Sequence, residues 1–157
     1  MLYDPFTTWT RMANAGLDML ETAQRVGETM VAANTVIGKR SKLIDDACKA
    51  PLQADVAELG RMVPEKVEAF SRSGAAVATE WWAMQTAALA EAQRLGALAM
   101  RGKPVTAGEL ASSGARTMNH ALKMMEHGAA LASGAVKPVH AKATANARRL
   151  SRRKKPR

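Results

Sequence analysis

The sequence predicts an all-α chain, and three observations carry that reading. Ala supplies about a fifth of the 157 residues and Met ten of them. Aromatic residues are only 4% of the chain, and the Val, Ile and Tyr that favour strands are sparse. Apolar residues also recur in alternating steps of three and four over many heptads. The expected architecture is a set of elongated amphipathic helices with coiled-coil-like seams, forming a helical hairpin or bundle and followed by a disordered basic C-terminal tail. At this length one helical domain, residues 1–136, and one basic flexible tail, residues 137–157, account for the whole chain.

The first helix is expected from Pro5 to about Lys49. Asp4 is placed to cap it and Pro5 suits the first helical position, while Pro51 stops it. Its seam runs through Trp9, Met12, Gly16, Met19, Ala23, Val26, Met30, Ala33, Ile37, Arg40, Ile44 and Ala47, and only Arg40 is neither apolar nor small. Arg40 either packs its stem and turns its head toward Asp45, or pairs with a carboxylate across the seam of an oligomer and sets register. The second helix is expected over about 52–101. Its seam runs from Val56 to Leu98, slips by one 4-4 step at Val63 and contains Glu91. Pro64 coincides with the slip, which predicts a kink or a one-turn break there. Gly102, Lys103 and Pro104 end this helix. Thr106 and Glu109 match a capping box, and a third helix is expected from 106 to 136 along Ala115, Met118, Leu122, Met125, Ala129, Ala132, Val136 and Val139.

Seams of this kind bury one another in an ordinary antiparallel bundle. Two features point to a second use. Met is frequent, and its flexible thioether suits irregular surfaces. Apolar residues also spill beyond the stripe, at Leu17, Leu20, Val31, Val36, Leu43, Trp82 and Leu89. Trp81 and Trp82 lie about 100° apart on a helix, so one faces the seam and the other its flank. The residues expected to meet a hydrophobic surface are Trp9, Leu17, Leu20, Met30, Val31, Ile37, Phe70, Trp81, Trp82, Met84 and Leu89. Burying ten large side chains is worth on the order of 15–30 kcal/mol before ordering costs, against a sister helix or a foreign surface alike. Self-association and adsorption should therefore compete.

Other chemistries find little support. Cys48 is the single cysteine, which excludes an intrachain disulfide and fits a reducing cytosol. His120 and His127, seven residues apart, stand about 10 Å apart along a helix and do not make a metal site. No catalytic constellation, metal site or cofactor motif is apparent, and no enzymatic activity is expected. The N-terminus carries no basic and apolar leader, and residues 81–100 are interrupted by Gln85, Glu91, Gln93 and Arg94, so no membrane span is expected.

The net charge of +9 resides in residues 137–157, which hold nine Lys or Arg and no acid, while residues 1–136 hold fourteen charges of each sign. Such a segment addresses phosphates of DNA or RNA, or anionic lipid head groups, without reading base sequence. Arg148, Arg149, Arg152, Arg153, Lys154, Lys155 and Arg157 are the expected contacts. A flexible arm of this charge predicts a slope of log affinity against log salt of about −4 to −6.

The strings VAANTVIGKR at 31–40, ELGRMVPEKVEAF at 58–70 and the SRSGAA that follows resemble the phasin family, amphipathic proteins that coat bacterial polyhydroxyalkanoate storage granules. The similarity covers roughly residues 1–135. It implies an all-helical, cytoplasmic, granule-associated coat protein, commonly a homo-oligomer, that lowers interfacial tension and influences the polymer synthase. It further implies a tail that tethers granules to DNA, although this tail is short and Arg-heavy. Two other readings stay open: a nucleoid-associated helical oligomer that binds DNA through its tail, and a peripheral membrane protein whose helices lie in the lipid interface.

Overall fold

The computed structural model describes residues 4–152, and among them the chain is all-α with no strand. Helix α1 spans Pro5–Lys49, a short 3-10 turn covers Pro51–Gln53, α2 spans Val56–Met100 and α3 spans Ala107–Arg152. The helix starts follow from local hydrogen bonding. Asp4 accepts from the amides of Phe6 at 3.1 Å and Thr7 at 3.3 Å. Thr106 and Glu109 exchange bonds as a capping box: the Thr106 amide donates to Glu109 Oε2 at 2.9 Å and the Glu109 amide to Thr106 Oγ1 at 3.3 Å. Gly102 ends the turn after α2 with φ of 66°, a left-handed conformation in which it has no Cβ to clash.

Three expectations about the elements need correction. First, α2 begins at Val56 rather than 52, because Pro51 confines residues 51–53 to a 3-10 turn and Asp55 caps the new start by accepting from the Glu58 amide at 3.0 Å. Second, α2 runs through Pro64 as continuous helix, so of the two expected outcomes the one-turn break does not occur. Third, α3 does not stop at 136 but continues through Pro138 to Arg152, so residues 137–152 are helix and not a disordered tail. A proline ring crowds the carbonyl four residues earlier, and at both internal prolines that carbonyl belongs to a glycine, Gly60 or Gly134, where the backbone shifts most cheaply. The Ser73 hydroxyl donates to the Ala135 carbonyl at 2.8 Å, one residue after Gly134.

The chain divides into two compact units. The first comprises Met1–Leu20 with Val77–Ser133, and the second Glu21–Ala76 with Gly134–Arg157. In the first unit Ala15, Leu122 and Ala129 are buried; in the second, Thr22, Ala32, Arg40, Glu58, Ala69, Ser73, Asn146 and Leu150 are. Of these eleven residues only Leu122 and Leu150 are large and apolar, so neither unit rests on a bulky hydrophobic core.

That interior has a clear origin on α1. The residues turned inward, Arg11, Ala15, Thr22, Arg25, Thr29, Ala32 and Val36, also follow heptad spacing, but each lies one residue before a position of the expected seam. Over residues 11–36 the inward stripe is thus rotated by about 100°, whereas farther on Arg40 of the expected seam is itself buried. Most of the expected seam faces outward: Trp9, Met12, Met19, Met30, Ile37 and Ile44 on α1, and Val56, Val63, Val67, Phe70, Trp81 and Leu95 on α2, are exposed. Only α3 turns its expected seam inward, with Leu122 and Ala129 buried and Met118 the exposed exception.

Candidate functional site

Each unit presents its own set of large apolar side chains to solvent. The first exposes Phe6, Trp9, Leu17, Leu20, Trp81, Trp82 and Leu89; the second exposes Met30, Val31, Ile37, Val63, Val67 and Phe70. Of the eleven residues singled out for contact with a hydrophobic surface, ten are exposed, with Trp82 at 71% and Leu17 at 63%. Met84 is the correction, since it is half-buried in the first unit. Trp81 and Trp82 are both exposed, although they point about 100° apart, because the inward stripe of α2 passes through Glu80, Ala83 and Ala87 instead.

Ion pairs link the helices within each unit. In the first, the Arg11 guanidinium grips Glu126 with two bonds, Nε to Oε1 at 2.6 Å and Nη2 to Oε2 at 2.8 Å, and reaches Asn119 with a third at 2.6 Å. Glu91 accepts from Arg94 at 2.5 and 2.8 Å, and Arg94 continues across to Ser113 and Thr117 on α3. The Arg94 bonds hold the Glu91 carboxyl down at about 2. Arg101 does the same for Glu109, also about 2, across the turn between α2 and α3. His127 Nδ1 lies 2.8 Å from Glu80 Oε2, so His127 faces a carboxylate on α2 rather than solvent alone.

In the second unit five polar side chains from three helices meet alongside the buried Ala32, Ala69 and Leu150. Arg40 of α1 donates through Nη2 to Glu58 Oε1 at 3.2 Å and to Glu65 Oε2 at 2.5 Å. Arg149 of α3 binds both carboxylates as well, with Nη2 at 3.0 Å from Glu58 Oε1 and from Glu65 Oε1, and Asn146 donates to Glu65 Oε2 at 2.9 Å. Burial alone would raise the Glu58 carboxyl, but the bonds from Arg149 and Arg40 outweigh it and hold it below its ordinary range. Arg40 therefore pairs across helices within this chain, not toward Asp45. Its Nε is buried without a partner among the described residues, a cost of about 1–3 kcal/mol for an orphan donor.

Of the expected polyanion contacts, Arg149 lies in this cluster, and other basic side chains of α3 are paired within the chain as well. Arg149 is committed to Glu58 and Glu65, Lys142 to Glu68 at 2.5 Å, and His140 to Glu28 at 2.8 Å. Arg148 and Arg152 are exposed on α3, together with Lys137. Arg153, Lys154, Lys155 and Arg157 lie outside the described residues. The signal that extends α3 was present in the sequence: Val139, Ala143, Asn146 and Leu150 carry the 3-4 spacing on past Val136.

Among the described residues no group of three or more His, Cys, Asp or Glu is placed to hold a metal ion, and no helix is long and apolar enough to cross a membrane. Comparison with protein-family models, curated proteins and solved structures finds no match to this chain.

Proposed function

We propose that this chain is a non-enzymatic surface-coating protein of cytoplasmic polyhydroxyalkanoate storage granules, adsorbing through its outward apolar side chains. The observation that carries this reading is the inverted distribution of side-chain types. The buried positions are mostly small or polar, with Leu122 and Leu150 the two large apolar exceptions, while Trp9, Trp81, Trp82, Leu17, Leu20, Leu89 and Met30 face water. Monomeric soluble proteins rarely leave so many large apolar groups uncovered unless a partner or surface covers them. A polyester surface supplies apolar area without demanding a matched shape, which suits side chains as adaptable as Met.

The outward seam of α1 also supports a homo-oligomer. A strict heptad repeat matters only where a second helix supercoils around the first, since an ideal helix drifts about 20° per heptad against a flat surface. Sister chains and polymer would then share the same side chains in turn. The exposed face of Lys137, Arg148 and Arg152 supports a contact with DNA phosphates, smaller than a free arm of nine charges would make. An influence on the polymer synthase belongs to the same proposal through the phasin resemblance.

Flotation of the purified protein with polyester nanoparticles, anionic liposomes and DNA in separate tubes tests the reading. Polymer binding that survives Arg148→Glu with Arg152→Glu, alongside weakened DNA binding, is the expected result. Binding to DNA alone would favour the nucleoid-associated reading, and binding to liposomes alone the peripheral membrane one.

A further inference from the structure

We propose that a second copy of this chain docks antiparallel on the outward face of α1 between Glu21 and Lys49, in the second unit. This pairing rests on the homo-oligomer reading above and gives it a direction and a register. The face is centred on Gln24, Gly27, Val31, Asn34, Gly38 and Ser41, which follow steps of three and four and are all exposed. Two lines flank it. On one side every seventh residue reads Glu21, Glu28, Thr35, Lys42, Lys49, in the order acid, acid, neutral, base, base. On the other, Met30, Ile37 and Ile44 repeat at the same interval and are exposed.

The order of the charges sets the direction. Turning a second copy end for end about Thr35 brings Glu21 to Lys49 of that copy and Glu28 to Lys42, and the two-fold symmetry forms each pair twice. The same register sets Ile37 against its own copy and Met30 against Ile44, so apolar meets apolar on the opposite flank. A parallel pair would instead lay the charged line of one helix along the apolar line of the other, beside charges left without partners. Three of these charges also have a neighbour in their own chain: Arg25 for Glu21, His140 for Glu28 and Asp45 for Lys49. Their side chains nevertheless stay 57%, 49% and 72% exposed, so each carboxylate or ammonium has capacity for a further partner.

Sedimentation velocity and cross-linking of the full chain test the pairing. The unaltered chain should self-associate, and a short bis-maleimide should not join its Cys48 residues, which antiparallel pairing holds about 35–40 Å apart. Ile37→Cys with Cys48→Ser should be joined readily. Lys42→Glu with Lys49→Glu should weaken the dimer roughly 10- to 30-fold, the size of four exposed ion pairs, as should Glu21→Lys with Glu28→Lys. An equimolar mixture of these two variants should recover the unaltered affinity, with the helical circular dichroism of each unchanged. Self-association that ignores both reversals, or ready joining of Cys48 in the unaltered chain, would overturn the antiparallel pairing while the homo-oligomer reading stands. A chain that stays monomeric would overturn both.

Discussion

Trp82 and Arg40 carry opposite kinds of side chain, and the fold places each where its type is least common. Trp82 is 71% exposed, so its indole contributes little to folding and is available to an apolar phase. Trp82→Ser should weaken adsorption to polyester particles by roughly 10- to 100-fold, the equivalent of about 1.5–3 kcal/mol for one large side chain, while moving stability by no more than about 0.5 kcal/mol. Particle flotation and thermal unfolding of the same sample read both quantities, and a large loss of stability would assign Trp82 to packing instead. Arg40 shows the reverse behaviour. Its side chain is 10% exposed and that of Glu58 only 1%, so Arg40→Ala leaves carboxylates in a poorly solvated site with Arg149 as their remaining cation. Breaking a buried pair in this way costs about 3 kcal/mol, visible as a lower urea midpoint at constant slope.

At the scale of the element, the prolines and glycines of α2 and α3 decide how closely helices approach. An added Cβ at Gly134 would stand 3.0 Å from the Ala76 Cβ, whereas one at Gly114 would meet nothing within 4 Å. Gly114→Ala should therefore stabilise the chain by about 0.5–1 kcal/mol through helix propensity, raising Tm by about 1–4 °C. Gly134→Ala meets the Ala76 Cβ and should gain nothing or lose stability in the same melt. The helices themselves were legible because their signals are local: Asp4, the Thr106 and Glu109 pair and Gly102 act within one turn. Which stripe faces inward was not legible on α1, where two heptad stripes lie one residue apart. The hydrophobic pattern favours the one through Trp9 and Ile37, but the chain buries the one through Ala15 and Ala32. That choice depends on carboxylates far away in sequence, such as Glu126 for Arg11, which periodicity cannot reveal. The end of α3 was misread for a related reason, because Asn146 and Arg149 look like a solvated basic segment until Glu65 is placed opposite them. Exposure of the candidate adsorption residues was easier to foresee, since apolar groups too numerous for a thin helical seam must overflow it.

For the whole molecule, the many ion pairs between helices tie stability to pH. Glu126 is held below its ordinary value by Arg11, Glu28 by His140 and Glu68 by Lys142, while Glu58 is held down by Arg149 and Arg40 against the opposing effect of burial. Glu91 and Glu109 are held at about 2, against an ordinary 4.5. Each carboxyl is lowered on folding, so the unfolded chain binds protons first as pH falls. The stabilisation is then complete above the ordinary value and is lost progressively as pH drops through the folded values. Both units carry such groups, so both should weaken in the same window. Tm should stay level from pH 7 to about 5 and fall steeply between about pH 4.5 and 2, followed by circular dichroism at 222 nm. A chain sealed around a conventional apolar core would keep much of its Tm at pH 2.5, and that outcome would contradict the ionic account of the interior. Acid should also leave the outward apolar side chains uncovered, because none of them depends on a proton. Polymer adsorption should therefore persist at a pH where the free protein has lost its cooperative melt, and flotation at pH 3 separates the two properties.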